Sequence, residues 1–266
     1  MWREGLEDDL GEPVPLRGEP ARVVSLVPSL TEAVAVSAPG LLAGATDYCT
    51  HPSTLDVPRV GGSKYPTVDA VLDLDPDLVI ANSEENRPED VEALRANGIP
   101  VWVTAAPASV PNGLASVRRL LTQGLGLDEP GWLVAAEESW RDTEPIWATA
   151  IVPVWRRPWV VVGRDTFAGD VLARLGVANA YAEHEDRYPR PRLDELNALL
   201  HNGSANLVVL PDEPYEFTGE DGPEAFAGSP CALVNGRLLT WYGPSLVDAR
   251  AELAAALRPG SPVVAQ

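Results

Sequence analysis

The amino-acid sequence predicts an α/β protein with two lobes, each built around a mainly parallel central sheet, joined by a long helix. Three observations support this fold class. From residue 22 onwards, short β-branched runs alternate with stretches of helical character, which is typical of parallel α/β domains. This alternation occurs in two series, with an apolar helical stretch between them. The length of 266 residues also agrees with about two domains of ordinary size.

The predicted boundaries follow from these series. An N-terminal extension covers residues 1–20, the first lobe 21–127, the connecting helix 128–155 and the second lobe 156–266. In the first lobe, strands are predicted at Val23–Val27, Leu41–Ala45, Leu78–Ala81 and Val101–Thr104, with helices at 32–37, from 68 and from 88. Ser29 and Thr31 are of the type that caps a helix N-terminus, and Pro88 suits a first helical turn. The third helix is expected to end near Gly98.

The second lobe has predicted strands at 159–163, 207–210 and 231–234, with helices starting near Ala168 and Leu193. Its segment RLDELNALLHNGSANLVVL echoes TVDAVLDLDPDLVIA of the first lobe, and AGSPCALV then matches NGIPVWV as a further strand. Any two αβ units share some of this punctuation, so the similarity could also arise by chance. We interpret the two lobes as related to each other.

A connecting helix is predicted over Gly131–Val152. Its apolar face would consist of Trp132, Ala136, Trp140, Trp147 and Ile151, which lie four or seven residues apart. Pro145 interrupts this pattern, because an interior proline removes a backbone hydrogen bond and clashes with the preceding turn. The helix is therefore either kinked at Pro145 or divided into two pieces.

Composition and charge exclude several classes of function. The chain has 20 Lys and Arg against 39 Asp and Glu, and its net charge of −19 would repel nucleic acid and anionic membrane surfaces. No apolar run approaches the roughly 20 residues that a transmembrane helix needs. Two cysteines, Cys49 and Cys231, cannot form a disulfide framework and are expected to be reduced thiols.

Seven stretches carry a specific resemblance. In the first lobe they are RVVSLVPSLTEAV, GATDYCTHP, PRVGGSKYPTVDAVLDLDPDLVIANSE and LRANGIPVWV, and in the second WVVVGRDTFAGDVLARLGVANAYA, RYPRPRLDELNALL and LVVLPDEPYEFT. In this order and spacing, the chain resembles the helical-backbone metal-chelate receptors, which are ABC-transporter substrate-binding proteins for cobalamin and ferric siderophores. The resemblance covers residues 22 to about 257. It does not specify the ligand, because the matching residues are chiefly those that build the βα units.

The resemblance implies a small-molecule binding protein with a periplasmic-binding-protein fold, in which a metal chelate occupies the cleft between the lobes. No resident cofactor is required, and a corrinoid, a haem or a ferric chelate would be the ligand. By position, the first lobe would supply Tyr48, Ser63, Lys64, Tyr65, Glu84 and Glu85, and the second lobe Arg164, Phe167, Tyr188, Arg190, Glu213, Tyr215, Trp241 and Tyr242. Aromatic rings suit a flat macrocycle or a catecholate, and arginines suit an anionic chelate. Each aromatic residue could instead close the edge of a hydrophobic core.

The sequence departs from transport members of this family in two respects. Asp69 and Asp194 stand where such proteins usually carry glutamates that dock on a membrane permease, so docking is doubtful. The first twenty residues contain acids, prolines and glycines where a secretory signal has a basic start and an apolar stretch. This predicts a cytoplasmic protein, and an extracytoplasmic one only if a leader has been trimmed.

Two other functions are weighed against the binding protein. The first alternative is an enzyme that uses the cleft for acid–base chemistry, with Arg164 orienting an anionic substrate and Asp212 or Glu213 exchanging protons. Cys49 and His51 share a loop but lack the flanking motif of an activated nucleophile. The second is a protein-held metal ion, for which the candidates are His51, His184, His201 and the acids at 183–186. A surface turn is the better interpretation of the 183–186 stretch, and no metal ligands are predicted.

Overall fold

The computed structural model describes residues 5–258, which form two compact units. Unit 1 comprises the chain up to Ala106 together with Asn112–Ala135 and Tyr242–Pro244, and unit 2 comprises Pro107–Pro111, Ala136–Trp241 and the chain from Ser245. Each unit has its own parallel sheet and its own hydrophobic core. The α/β class predicted from the sequence is therefore confirmed.

Unit 1 is built from alternating strands and helices. Its elements are β1 (Val23–Ser25), α1 (Pro28–Ser37), β2 (Leu42–Ala45), α2 (Val68–Asp73), β3 (Leu78–Asn82), α3 (Pro88–Ala96) and β4 (Val101–Thr104). The strands pair in parallel in the order β2-β1-β3-β4. Helix α1 begins at Pro28, earlier than predicted, and Thr31 donates to the carbonyl of Val27 instead of capping the helix.

Two further helices follow β4. Helix α4 covers Val110–Arg119 and is continued by a π-helical turn at Leu120–Gly124, and α5 covers Gly131–Ser139. The predicted connecting helix is thus shorter than 131–152, because the chain turns at Trp140 and enters a strand at Ala148. The proline at 145 falls in this break. The indole of Trp147 donates to the carbonyl of Leu175 at 3.0 Å and so belongs to unit 2, not to a continuous helical face.

Unit 2 repeats the topology of unit 1. Its elements are β5 (Ala148–Ile151), β6 (Pro153–Trp155), β7 (Val160–Val161), α6 (Phe167–Arg174), β8 (Val177–Asn179), α7 (Leu193–His201), β9 (Leu207–Pro211), β10 (Cys231–Val234), α8 (Gly236–Thr240) and α9 (Leu246–Ala256). Strands β6 and β7 form an antiparallel hairpin, and the other strands are parallel in the order β8-β5-β9-β10. This order equals that of unit 1, and α2–β3 corresponds to α7–β9, as the sequence echo predicts.

The N-terminal segment is part of unit 1. Val14 and Leu16 are buried, and the amide of Asp9 donates to the carbonyl of Val103 on β4. The carboxylate of Asp8 is fully buried, where it accepts hydrogen bonds from the amides of Leu10 and Glu12 and from the Arg95 guanidinium at 2.9 Å. The segment therefore covers the β4 side of the sheet.

In residues 5–258, no helix combines the length and the apolar character needed to cross a lipid bilayer.

Candidate functional site

The strand order of each unit marks one position where a ligand is expected. In unit 1 the chain first extends the sheet on one side of β1 and then on the other, so the switch point lies between β1 and β3. In unit 2 it lies between β5 and β9. Open α/β sheets bind ligands beyond the carboxyl ends of the strands at such points. The loops that follow β1 and β3, and those that follow β5 and β9, are therefore the candidate binding edges.

The edge of unit 1 rests on two buried asparagines. Asn82 ends β3, and its side-chain oxygen accepts hydrogen bonds from the amides of Glu84 at 2.8 Å and Glu85 at 3.2 Å. Asn86 accepts from the Asn82 amide at 2.7 Å and donates to the carbonyl of Leu26, which follows β1. These bonds join the two loops that flank the switch point. They fix the backbone at Glu84 and Glu85, whose side chains are half-buried.

Four of the predicted residues lie next to this network. Asn86 also donates to the carbonyl of Ser63 at 2.8 Å, and the ammonium group of Lys64 donates to the carbonyl of Glu84 at 3.1 Å. Tyr48 and Tyr65 are 66% and 69% exposed. The Tyr48 ring lies beside the 61–63 loop, since a Cβ on Gly62 would be 3.5 Å from its Cε2 atom. The structure thus brings the first-lobe residues to one edge.

The loop that carries Tyr48 is fixed by Arg59 and by the contact between Cys49 and Thr31. The Arg59 guanidinium donates to the carbonyl of Thr46 at 3.0 Å and to that of Cys49 at 2.9 Å. The Cys49 thiol is buried at 3.0 Å from the hydroxyl of Thr31, and burial raises the pKa of this thiol. A thiol of raised pKa is a poor nucleophile at neutral pH. Tyr48 is therefore an exposed ring on a fixed loop.

Tyr242 differs from its expected position. It belongs to unit 1, not to the second lobe, and its ring is buried. Its hydroxyl oxygen accepts a hydrogen bond from Asn82 Nδ2 at 3.0 Å, and the same amide nitrogen donates to Thr104 Oγ1. Burial raises the pKa of the Tyr242 hydroxyl. Tyr242 thus stabilises the unit 1 edge through its buried hydrogen bond to Asn82, and its ring is not at the surface.

In unit 2, aromatic side chains meet across the switch point. Trp155 follows β5 on the β6–β7 hairpin, and Tyr215 follows β9. Their ring centroids are 5.7 Å apart with an interplanar angle of 79°, an edge-to-face arrangement. The Tyr215 hydroxyl donates to Asp221 at 2.6 Å, and Asp221 is also paired with Arg156.

The remaining predicted residues of unit 2 are dispersed. Phe167 and Trp241 are buried and contribute to the core. Arg164 and Arg190 are exposed, and Arg164 pairs with Asp165 at 2.8 Å. Tyr188 is partly exposed on the loop before α7.

Glu213 occupies a tight, half-buried position after β9. A Cβ on Gly236 would lie 2.5 Å from Glu213 Cγ, so a glycine at 236 is required for this approach. Within the described residues, the Glu213 Oε1 atom is buried without a hydrogen-bond partner. Burial, and next the charge of Asp212, raise the pKa of the carboxyl group, although Arg237 and Trp241 act in the opposite direction.

The groups considered for metal binding or nucleophilic catalysis stay separate. His184 Nδ1 accepts from the amide of Asp186 at 3.0 Å, and His51 Nδ1 lies 3.0 Å from Thr50 Oγ1. No three His, Cys, Asp or Glu side chains in residues 5–258 converge on a point suited to a metal ion.

Comparison with solved structures shows what this arrangement resembles. The periplasmic haem-binding protein RhuT from Roseiflexus sp. RS-1 has a TM-score of 0.74 and 22% identity, and the match covers 90% of this chain and 98% of that one. A periplasmic haem-binding protein from Pseudomonas aeruginosa has a TM-score of 0.72 and 24% identity over 93% and 96% of the two chains. The vitamin B12-binding protein BtuF of Vibrio cholerae has a TM-score of 0.65 and 19% identity over 90% and 96%.

The chain has the fold of the periplasmic haem- and vitamin B12-binding proteins. No protein-family model and no curated protein sequence matches it. This fold agrees with the resemblance found in the sequence, and the match extends over nearly the full length of both chains in each comparison.

Several residues that shape the candidate binding edges of the two units were not predicted from the sequence. They are Asn82, Asn86 and Arg59 in unit 1, and Trp155 and Arg157 in unit 2. A signal for the asparagines was present, because the stretch NSEEN begins at the last residue of the buried strand LVIAN, and asparagine side chains commonly bond to nearby backbone amides at strand ends.

We expect Glu213→Gln to stabilise the protein at neutral pH by about 0.5 to 1.5 kcal/mol. The folded-state pKa of Glu213 is raised above its unfolded value, so the ionised group costs stability at high pH, and this cost disappears as the pH falls through the folded pKa towards about 4.3. Thermal unfolding between pH 4 and 8, in steps of one unit, should show the variant's advantage at neutral pH and convergence with wild type at the acidic end.

The control for this prediction is Glu220→Gln, which alters an exposed acid in the loop that follows β9. It should leave the pH profile of stability unchanged. A Glu213→Gln variant that melts below wild type at pH 7 would show that the charge of Arg237 outweighs the effect of burial.

Proposed function

We propose that the chain binds a metal chelate of the haem, corrinoid or ferric siderophore class, with the carboxyl edges of its two sheets as binding surfaces. The observation that carries the proposal is the edge of unit 1, where Tyr48 and Tyr65 are exposed beside a buried Asn82–Asn86 network. Both phenols lie on the connection from β2 to α2, at the carboxyl edge of the sheet, and hydrogen bonds of Ser63 and Lys64 join this connection to the loop that follows β3 at the switch point. The likeness to haem- and B12-binding proteins supports this ligand class.

The chemistry of the unit 1 edge suits such a ligand. Aromatic rings give a flat conjugated ligand a large contact area at little entropic cost, and phenol oxygen is an established ligand for ferric iron in haem proteins. Tyr65 is stacked by the Arg87 guanidinium, whose carbon lies 4.7 Å from the ring centroid, and Arg87 is itself held by Asp90. The ring is thus oriented before a ligand arrives, which lowers the cost of binding.

The direct test is a titration of purified protein with haemin, cyanocobalamin and a ferric tris-catecholate, followed by absorption and tryptophan fluorescence. We expect saturable binding of one of these chelates. If none of the three binds above the level of an unrelated acidic protein, the proposed function is wrong.

A Tyr48→Ala variant should weaken binding of the preferred chelate by about 1 to 3 kcal/mol, as expected for loss of an aromatic anchor. Tyr48→Phe separates two roles of the side chain. It should bind like wild type if the ring only stacks, and it should lose the charge-transfer part of the spectrum if the oxygen ligates iron. Trp147→Ala, which removes an exposed ring that precedes β5 at the opposite end of the unit 2 sheet, is the control for Tyr48→Ala. Equal affinities for Tyr48→Ala and wild type would remove Tyr48 from the site.

We propose that Asp69 and Asp194 stabilise the N-termini of α2 and α7 and do not dock on a permease. Both are exposed in the first turns of α2 and α7, where a carboxylate is favoured by the helix dipole. Asp194 is also paired with Arg192 at 3.1 Å. A double alanine variant should keep full affinity for the chelate. Loss of cellular uptake of that chelate by this variant would instead establish a docking role.

The alternative function is acid–base catalysis by Glu213, which its raised pKa favours. Arg164, the expected partner in substrate orientation, is paired with Asp165 on the loop before α6. Turnover of a chelate that is abolished in Glu213→Gln, at unchanged affinity, would favour the enzyme over the binding protein.

A further inference from the structure

We propose that the hairpin segment Trp155–Pro158 and Tyr215 form a subsite for the face and the acidic side chains of a porphyrin. This inference rests on the proposed function and narrows its ligand class to a flat macrocycle that carries carboxylates. Sequence resemblance did not identify the hairpin as part of the site. Three features of unit 2 lead to it.

The first feature is position. Trp155 lies on the chain that leaves β5, and Tyr215 lies on the chain that leaves β9. These two strands flank the switch point of the unit 2 sheet. The contact between the two rings is therefore located at the place where a sheet of this topology binds its ligand.

The second feature is the exposure and support of the indole. Trp155 is 45% exposed, although tryptophan usually buries most of its surface. Behind the pair, Tyr215 packs on Phe217 with a centroid distance of 4.7 Å, and Phe217 stacks on Trp159. An exposed indole on a rigid aromatic base is a surface onto which a conjugated ring can stack.

The third feature is the pair of arginines at the tip of the hairpin. Arg156 is nearly buried, stacks over Trp159, and is neutralised by Asp221 and Glu224. Arg157 is exposed; within residues 5–258 its charge acts on Asp221 and on the Tyr215 hydroxyl, but it makes no hydrogen bond or ion pair. Its guanidinium is therefore available to a ligand.

The backbone at Arg157 supports a functional role. Its φ of 66° places a non-glycine residue in the left-handed region, which is rare and unfavourable for a long side chain. Such strain is retained mainly where the surrounding structure and the function both require it. In a chain with a net charge of −19, a ligand that carries carboxylates needs a local cation, and arginine binds carboxylates through paired hydrogen bonds.

The experiment compares two exposed tryptophans of the same unit. Trp155 is 45% exposed and follows β5, whereas Trp147 is 44% exposed and precedes β5, at the opposite end of the strand. In titrations with haemin, Trp155→Ala should bind about tenfold more weakly than wild type, while Trp147→Ala should stay within about twofold, as expected for an anchor and a bystander. Repeating the titrations with iron-free protoporphyrin isolates the macrocycle and its carboxylates from any ligation of iron.

Arg157→Gly provides a variant that is expected to fold. Glycine accepts a positive φ, so the variant should unfold at the same temperature as wild type or higher. It should nevertheless bind haemin about tenfold more weakly and lose its preference for protoporphyrin over the corresponding dimethyl ester, because the guanidinium is gone.

The outcomes distinguish this subsite from the general proposal. If wild type binds neither haemin nor any other chelate, the proposed function fails and the subsite with it. If wild type binds haemin but Trp155→Ala and Trp147→Ala have equal affinities, or Arg157→Gly binds as well as wild type, the subsite is wrong and the proposed function stands. A wild-type protein that binds cyanocobalamin but no porphyrin also overturns the subsite.

Discussion

Replacement of Asn82 by alanine is expected to lower the free energy of unfolding by about 2 to 4 kcal/mol, because several buried partners lose their hydrogen bonds together. The side-chain amide nitrogen donates to Thr104 and Tyr242, and the side-chain oxygen accepts from the amides of Glu84 and Glu85. Chelate affinity should fall as well, since the loop after β3 would lose its fixed conformation. Urea unfolding followed by circular dichroism measures the first effect, and the haemin titration measures the second.

Asn97→Ala is the matched control for Asn82→Ala. Asn97 follows α3, is exposed, and makes one side-chain hydrogen bond to the carbonyl of Ala93. Its replacement should cost less than about 0.5 kcal/mol, as for most surface positions. Similar losses in the two variants would show that the Asn82 network does not hold the edge of unit 1 together.

The second large effect is expected for Asp8→Ala, at about 2 to 3 kcal/mol of lost stability. The variant leaves the amides of Leu10 and Glu12 without their acceptor, and it leaves Arg95 without its buried carboxylate. The loss is smaller than for a fully buried ion pair, because Arg95 reaches solvent and can be hydrated. Limited proteolysis should also cleave the N-terminal segment earlier in the variant than in wild type.

Two controls separate the role of the charge from that of the hydrogen bonds. Asp8→Asn keeps one acceptor oxygen and should retain part of the stability. Asp56→Ala changes an exposed aspartate of the same unit and should have no measurable effect. If deletion of the first sixteen residues leaves the melting temperature unchanged, the segment does not stabilise unit 1.

The strands predicted most accurately from the sequence are short runs of four or five largely apolar residues. The predicted strands at 78–81, 101–104, 207–210 and 231–234 are found at Leu78–Asn82, Val101–Thr104, Leu207–Pro211 and Cys231–Val234. The strands at Leu78–Asn82 and Leu207–Pro211 lie inside their parallel sheets and are buried on both faces, whereas those at Val101–Thr104 and Cys231–Val234 form sheet edges. All four lack the 3.6-residue periodicity of a half-exposed helix.

The elements that were not predicted correctly have local sequence patterns that resemble another structure or show no periodicity. Strand β5 lies within the predicted connecting helix, because Trp140, Trp147 and Ile151 recur at helical spacing although Trp147 packs on the chain before β8. Strand β8 is only three residues long and gives no periodic signal. The predicted strand at 159–163 is reduced to the two residues of β7, paired with β6.

The position of the candidate site could be predicted from the sequence more readily than the residues that form it. Strand ends are visible in the sequence, and they direct attention to Tyr48, Glu84 and Tyr215. Burial depends on tertiary packing, which explains why Trp241 was expected at the surface and lies in the core. The role of Trp155 depends on the spatial order of β5 and β9, which no local pattern contains.

The two native cysteines have a practical consequence for spectroscopy on this protein. Burial raises the pKa of both thiols, that of Cys231 to about 11, so thiolate is scarce at neutral pH. Maleimide labels should therefore react with an introduced, exposed cysteine long before they react with Cys49 or Cys231. Cysteines introduced at exposed positions, such as Ser53 in unit 1 and Glu220 in unit 2, can be labelled with dyes without first removing the native thiols. Energy transfer between such dyes would then report the distance between the two units in solution, with and without haemin.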